Sequence, residues 1–247
     1  MATSAAALPP GSELVMAGVT GFLSSTPGYD LLWTRYADGS VTNLGRGYSQ
    51  VQMDESYGSV SDVVALERGD LGNADYRVEL HDMTTGAVST MVLGKYRHLV
   101  GVVGSTAVTN PYVGGRGIDS TKLHLHNIVD GVLTDRRVTG LPTDTRTDVA
   151  STAPGKLVLD YNRPTGAQTD WYYAVVNLAS GVASPSNLAP TTWAGAALSP
   201  NYLATLQGSS RPATSQLRVK NRGTGKVTHG FVHFNRQRLF VGSGGVQ

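Results

Sequence analysis

The sequence predicts an all-β fold: a β-propeller of four-stranded antiparallel blades, about five full blades plus a partial sixth. Three observations carry this. A phrase of alternating strand, Gly-bearing turn and weaker second strand, first met as LLWTRYADGSVTNL (31–44), returns four more times along the chain. Its turn glycines, Gly39, Gly86, Gly131, Gly181 and Gly225, are spaced 47, 45, 50 and 44 residues apart. No segment of a dozen residues shows the sustained i, i+3, i+4, i+7 apolar spacing of an amphipathic helix. A strand-only repeat with a period in the forties matches propeller blades, which run to about 40–50 residues.

Each element follows in order. ELVMAG (13–18) and TGFLSS (20–25) supply the inner strands A and B of the first blade, and the quoted phrase supplies C and D. SQVQMDES (49–56) and SDVVALER (61–68) precede the second phrase, YRVELHDMTTGAVSTMVL. HLVGVVG (98–104) and STAVTN (105–110) precede LHLHNIVDGVLTDRRV, and TDVAST (147–152) and KLVLDY (156–161) precede WYYAVVNLASGVASPSNL. WAGAALS (193–199) and YLATLQ (202–207) precede QLRVKNRGTGKVTHGF. The turns ADGS, TTGA, VDGV, ASGV and GTGK place Gly where a tight hairpin needs positive φ. Short apolar A and B strands suit the buried inner part of a blade, and the wetter C and D strands its outer edge. FVHFNR (231–236) and RLFVGS (238–243) read as another A–B pair, half of a sixth blade. The expected organisation is a flexible N-terminal tail (1–12), a propeller domain (13–243) and a C-terminal tail (244–247). An open blade edge is an aggregation hazard. The half blade therefore favours a fragment of a longer propeller or a truncated gene product over a closed five-blade ring; irregular packing of the last strand pair and completion by another chain are the further readings. A sandwich of many short strands is the alternative fold.

Composition narrows the function. Lys plus Arg number 20 and Asp plus Glu 18, a net charge of +2, which speaks against a nucleic-acid binder. The chain has no cysteine, excluding disulfides, thiolate nucleophiles and Cys-based metal sites. No run reaches the roughly 18 apolar residues of a membrane span. The N-terminal MATSAAALPPGSEL lacks the basic and apolar regions of a signal peptide and reads as a small-residue segment downstream of a cleavage site. The expected localisation is secreted or extracellular, with no signal peptide in this chain.

GVTGFL (18–23), LLWTRYADGSVTNL, LHDMTTG (80–86) and VDGVLTDRRVTGLP (129–142) resemble the N-terminal propeller-like region of secreted actinobacterial, Streptomyces-type proteins that carry FG-GAP/VCBS repeats. The resemblance implies an extracellular propeller without an assigned activity. The chain ends earlier than the longer members. It also lacks the D-x-D-x-D-G calcium loop of FG-GAP repeats, so calcium-dependent adhesion does not carry over.

Chemistry is sparse. His124 and His126 form H-x-H on a predicted C strand and share a face, but no third ligand stands at a metal-site spacing. Alternation assigns Leu123, Leu125 and Ile128 to the core and the two histidines to the wetter face. His229 and His233 lie in strand and turn, where a spacing of four does not align them. GGRGID (114–119) lacks the helix that a phosphate loop requires. Asp144 and Asp148, in PTDTRTD, read as turn caps. Trp33, Trp171, Tyr172 and Trp193 suit either a sugar-stacking platform or packing between blades. No catalytic residue, metal site or cofactor is expected.

One pattern repeats at equivalent places. The B–C connections of blades two to five each carry an arginine: Arg68, Arg116, Arg163 and Arg211, three of them with Asp70, Asp119 or Asp170 close by. B–C and D–A loops share one rim of a propeller, so these residues are candidates for binding an acidic or carbonyl-rich ligand. Solvated loop arginines are the competing reading. The expected function is a non-catalytic binding or surface-interaction domain presenting one rim to a glycan, peptide or partner protein. A secreted carbohydrate-active hydrolase or lyase, and a structural spacer, are the rivals.

Overall fold

The computed structural model of the chain describes residues 6–54, 56, 62–69, 76–93, 97–113, 117–142, 145–165, 168–186, 195–207 and 215–232, with backbone alone at 117–118, 163–165, 168–170, 207, 215 and 231–232. These residues form β-strands and turns. The first sheet comprises β1 (Glu13–Ala17), β2 (Gly21–Ser25), β3 (Leu31–Arg35) and β4 (Val41–Gly45). The second comprises β5 (Tyr48–Met53), β6 (Val63–Arg68), β7 (Arg77–Asp82) and β8 (Val88–Val92). The third holds β9 (Arg97–Val103), β10 (Thr106–Val113), β11 (Gly117–Ile118), β12 (His124–Val129) and β13 (Val132–Arg137), with the two-residue β11 folded back on the end of β10. The fourth holds β14 (Arg146–Ala153), β15 (Lys156–Thr165), β16 (Gln168–Asn177) and β17 (Val182–Pro185). The fifth holds β18 (Ala196–Leu198), β19 (Tyr202–Gln207), β20 (Ser215–Asn221) and β21 (Val227–Val232). The first, second, fourth and fifth sheets are antiparallel meanders in chain order; in the third, β10 pairs with β9, β11 and β12, so β11 stands outside that path.

The expected elements stand within a few residues of their predicted places, with one difference. Phe231 and Val232, expected to open a sixth blade, instead end β21, paired with Gln216 and Ser215. The remainder of that expected half blade lies outside the described residues. Of the N-terminal segment expected to be a tail, residues 6–12 are described; Ser12 donates its N–H to the Pro9 carbonyl at 3.0 Å and is buried.

All five hairpin glycines have positive φ, between +69° and +76°. Only Asp130–Gly131 forms the tight two-residue turn, with Val129 paired to Val132 and both turn residues at positive φ. In the other four the Gly N–H returns to the carbonyl four residues earlier, on Arg35, Asp82, Asn177 and Asn221. Three of those residues are Asp or Asn, and each side-chain oxygen also accepts two backbone N–H groups of its turn.

The sheets pack face to face in sequence order. Leu23, Leu31 and Trp33 of the first meet Val64 and Leu66 of the second. Val63, Ala65, Val78 and Leu80 meet Leu99, Val102 and Ala107 of the third. Val103, Val108 and Leu125 meet Leu157, Leu159 and Ala174 of the fourth, and Val158 and Tyr173 meet Leu198 and Leu203 of the fifth. Strand β6 therefore buries both faces, so its core residues run continuously as VVALE. The inner strand of every sheet contributes to one cavity of about 270 Å³, among them Met16, Gln52, Val100, Ser151 and Ala196. Five inner strands around one space define an axis, with the sheets radiating from it. The A strands are wetter than expected because they line that channel. Strand β1 is mostly exposed, whereas its partner β2 is buried over Gly21–Ser24.

Four A strands carry a β-bulge, which adds an unpaired residue: Val15, Ser49, Val100 and Ala150. In the first, third and fourth sheets the bulge faces the step between the third and fourth residues of the B strand. Bulges increase local twist, which lets the inner strand run along the channel while the outer strand turns away.

Buried carboxylates tie neighbouring sheets together. Asp62, before β6, accepts Val19 N–H and Thr20 N–H, both at 2.7 Å, and Thr20 Oγ1 at 2.6 Å, from the β1–β2 turn. Asp54, after β5, accepts Gly104 N–H at 2.7 Å from the β9–β10 turn. Glu67 accepts Leu99 N–H at 2.7 Å and Ser49 Oγ at 2.6 Å. Each satisfies a backbone donor on an adjacent sheet.

Candidate functional site

Where the third sheet meets the fourth, three connections converge on a groove of about 490 Å³. One wall is the segment leading into β12, with Thr121, Lys122 and Leu123. A second is the end of β13 and the connection beyond it, from Arg137 to Pro142; the third is the start of β14, with Thr145 and Thr147. These are a B–C connection, a D–A connection and an A-strand entrance, so they lie on the rim that the repeat arithmetic singles out.

The groove walls are held by directed bonds. Thr147 donates both its N–H (2.9 Å) and its hydroxyl (2.8 Å) to the Ser120 carbonyl, joining the fourth sheet to the third. Val138 N–H donates to Leu123 O at 2.8 Å, Asn110 Nδ2 to Lys122 O at 2.8 Å, and Thr145 Oγ1 to Pro142 O at 3.0 Å. Thr139 donates its N–H to Gly181 O at 3.0 Å and accepts Ala183 N–H at 2.8 Å, bridging Val182 in parallel, so the connection continues onto the edge of β17. Gly140 is required there: at φ +85° a Cβ would stand 2.4 Å from the Ala183 carbonyl oxygen.

Two cations face the groove. Lys122 Nζ lies 3.0 Å from Asp119 Oδ2. Asp119 also accepts Thr121 N–H and the Thr121 hydroxyl, and these bonds with Lys122 hold its carboxyl below the usual aspartate range. Arg137 is exposed and has no ion pair or side-chain hydrogen bond among the described residues. Among the described residues no carboxylate lines the groove itself.

The six candidate ligand residues separate. Asp119 stands beside the groove, capping its own turn. Arg68 ends β6 on the corresponding rim of the second sheet, and its guanidinium is occupied. It donates to Leu44 O and Arg46 O, both at 2.7 Å, and pairs with Glu79 at 2.5 Å. It braces the connection between the first and second sheets. Arg163 and Asp170 face each other in register across the β15–β16 hairpin; their side chains, and all of Arg116, Arg211 and Asp70, lie outside the described residues. Trp33 is fully buried against the second sheet, which excludes it from a sugar platform, and Gly21 leaves room for its ring. Trp171 is half-buried, and Trp193 lies outside the described residues.

The histidine expectation needs correction. His126 is not on a wet face: it is 1% exposed, because a sheet flanked on both sides by neighbours has two buried faces. Its Nε2 lies 2.9 Å from Thr109 Oγ1, and burial lowers its pKa to about 4, keeping the ring neutral. His124 stacks on it at 6.2 Å between centroids and pairs through Nδ1 with Asp135 at 2.6 Å; Asp135 in turn holds Arg97 at 2.9 Å. Among the described residues no three His, Asp or Glu side chains converge as metal ligands would.

One carboxylate pair emerges that spacing alone does not show. Asp148 and Asp160 are direct neighbours across the β14–β15 ladder. Asp160 is 7% exposed with an unpartnered Oδ1, and burial, reinforced by the Asp148 charge, raises its pKa to about 6.

No protein-family model matches the chain, and no curated sequence matches it. Solved structures do. A TolB from Acinetobacter baumannii aligns over 88% of this chain with a TM-score of 0.50 and 12% identity. The Dos1 propeller aligns over 90% with a TM-score of 0.51 and 11% identity. The fold is a β-propeller. An oligogalacturonate lyase in complex with manganese aligns over 90% of the chain with a TM-score of 0.54 and 11% identity. The chain spans 54%, 62% and 65% of the length of these three propellers. At such identities the likeness concerns the path of the backbone and carries no residue of a site.

Proposed function

We propose that this propeller is an extracellular, non-catalytic binding domain that presents its B–C/D–A rim to a glycan, peptide or partner protein. The observation that carries the reading is the groove between the third and fourth blades, with hydrogen-bonded walls and an arginine that has no partner among the described residues. A guanidinium without a partner among the described residues is ready to recognise carboxylate or carbonyl groups, and hydrogen-bonded walls reduce the ordering cost of binding. Its volume falls within the range of about 300–1,000 Å³ usual for small-ligand sites. Propellers commonly gather their ligand contacts from loops of adjacent blades, and the resemblance to secreted actinobacterial propellers supports an extracellular setting.

The rival hydrolase or lyase reading has one observation in its favour, the raised pKa of Asp160. That carboxyl is enclosed beside the fourth-to-fifth interface with Val158 and Tyr173 on its strand neighbours, and it does not line the groove. A binding screen against immobilised polysaccharides, peptides and secreted proteins tests the proposal. Binding by the wild-type chain is expected to fall at least tenfold in both Lys122→Glu and Arg137→Glu. Binding that both charge reversals leave unchanged overturns the rim reading.

A further inference from the structure

We infer that the groove between the third and fourth blades takes a polyhydroxylated anion, a hexuronate unit of an acidic polysaccharide. This rests on the rim reading above and specifies the chemistry of the same site. Arg137 offers a planar fork of donors with no internal acceptor among the described residues, and Lys122 adds a half-exposed ammonium, 46% accessible. Asp119 offsets part of the lysine charge, so the arginine is the stronger anion contact. A carboxylate matches that fork in a bidentate way.

Charge alone does not define the ligand. The exposed Thr121 hydroxyl already spends its hydrogen on Asp119, so its oxygen is left to accept. Thr139, also exposed, brings a hydroxyl that both donates and accepts. Leu141 and Pro142 supply half-buried apolar surface on the same groove. Acceptors, a carboxylate-binding fork and an apolar wall together ask for a molecule with O–H donors, a carboxylate and a C–H face. A sugar acid has all three. An acidic peptide has the carboxylates without the hydroxyl donors, and a neutral sugar has the hydroxyls without the charge.

The test measures binding of trimannuronate, its methyl ester and hexaglutamate to the wild-type chain by calorimetry at fixed low salt. Trimannuronate is expected to bind at least tenfold more tightly than either control. Arg137→Gln is expected to remove that preference, and Arg46→Ala, 73% exposed on another connection, to keep it. Equal affinity for the methyl ester overturns the acidic class while leaving a rim that binds neutral glycans. Equal affinity for hexaglutamate overturns the sugar and leaves a charge-driven peptide site. No binding of trimannuronate by the wild-type chain overturns the inference outright. Only insensitivity of every bound ligand to the Lys122 and Arg137 charge reversals removes the rim reading as well.

Discussion

Asp160 shows how one side chain reports its surroundings. Burial raises its pKa from the ordinary 3.8 to about 6, so across that interval the folded chain holds the proton more tightly than the unfolded chain. The stability contributed by this proton is full below the ordinary value and is lost as the pH rises through about 6. At neutral pH the ionised carboxylate is therefore a liability. Asp160→Asn is expected to be more stable than the wild type at pH 7 by about 1–3 kcal/mol, and equal to it near pH 3.5. Urea titrations at the two pH values measure this; a variant equally destabilised at both would contradict the account. The carboxylates that clamp one blade to the next are fully partnered where Asp160 is not. Asp62 accepts three short bonds and is ordinary buried polar architecture, with its donors supplied by another blade.

At the scale of elements, hairpins were the most legible feature. Glycine at the turns announced itself through its spacing, and positive φ explains the choice. A second signal in the same phrases was equally readable: Asp82, Asn177 and Asn221 each precede the turn Gly by four residues and cap its N–H groups. The A-strand bulges left no such mark, since an unpaired Val100 or Ala150 looks like any strand residue until its partner is known. The connection after β13 gives a test. Gly140→Ala brings a Cβ within 2.4 Å of Ala183 O, whereas Gly155→Ala, at φ +68°, meets nothing within 4 Å. The second is expected to cost about 1–2 kcal/mol of left-handed strain. The first should cost about 3 kcal/mol or more, because the backbone bridge to β17 must also shift. Comparable urea midpoints for both variants would show that the bridge does not matter.

At the scale of the molecule, each blade depends on its neighbours. Strand β6 buries Val64 and Leu66 toward the first blade and Val63 and Ala65 toward the third, so a blade removed from the stack exposes a complete apolar face. A chain cut after Leu93 keeps two blades but leaves Val63, Val78, Leu80 and Met91 without Leu99 and Val102. It is expected to lose the cooperative thermal transition of the full chain, as followed by calorimetry and far-ultraviolet circular dichroism. A sharp transition in residues 1–93 would mean that a blade pair suffices as a folding unit. The same mutual dependence explains His126: alternation identified which residues share a face, but in a radial stack the face opposite the leucines is also interior.

The candidate site was only partly readable. Asp119 was visible through the loop pattern, whereas Arg137 sits at the end of a D strand, where an arginine looks like solvent-facing edge chemistry. The four-stranded repeat, hairpin position and turn glycines were determined by the sequence itself, because alternation and φ preference act over a few neighbouring residues. Which polar groups meet was decided by the tertiary structure alone. Asp62 reaches Thr20, Glu67 reaches Leu99 and Thr147 reaches Ser120 across separations of 42, 32 and 27 residues. Those meetings depend on how bulged sheets rotate around a common channel, a long-range geometry that local preference does not encode.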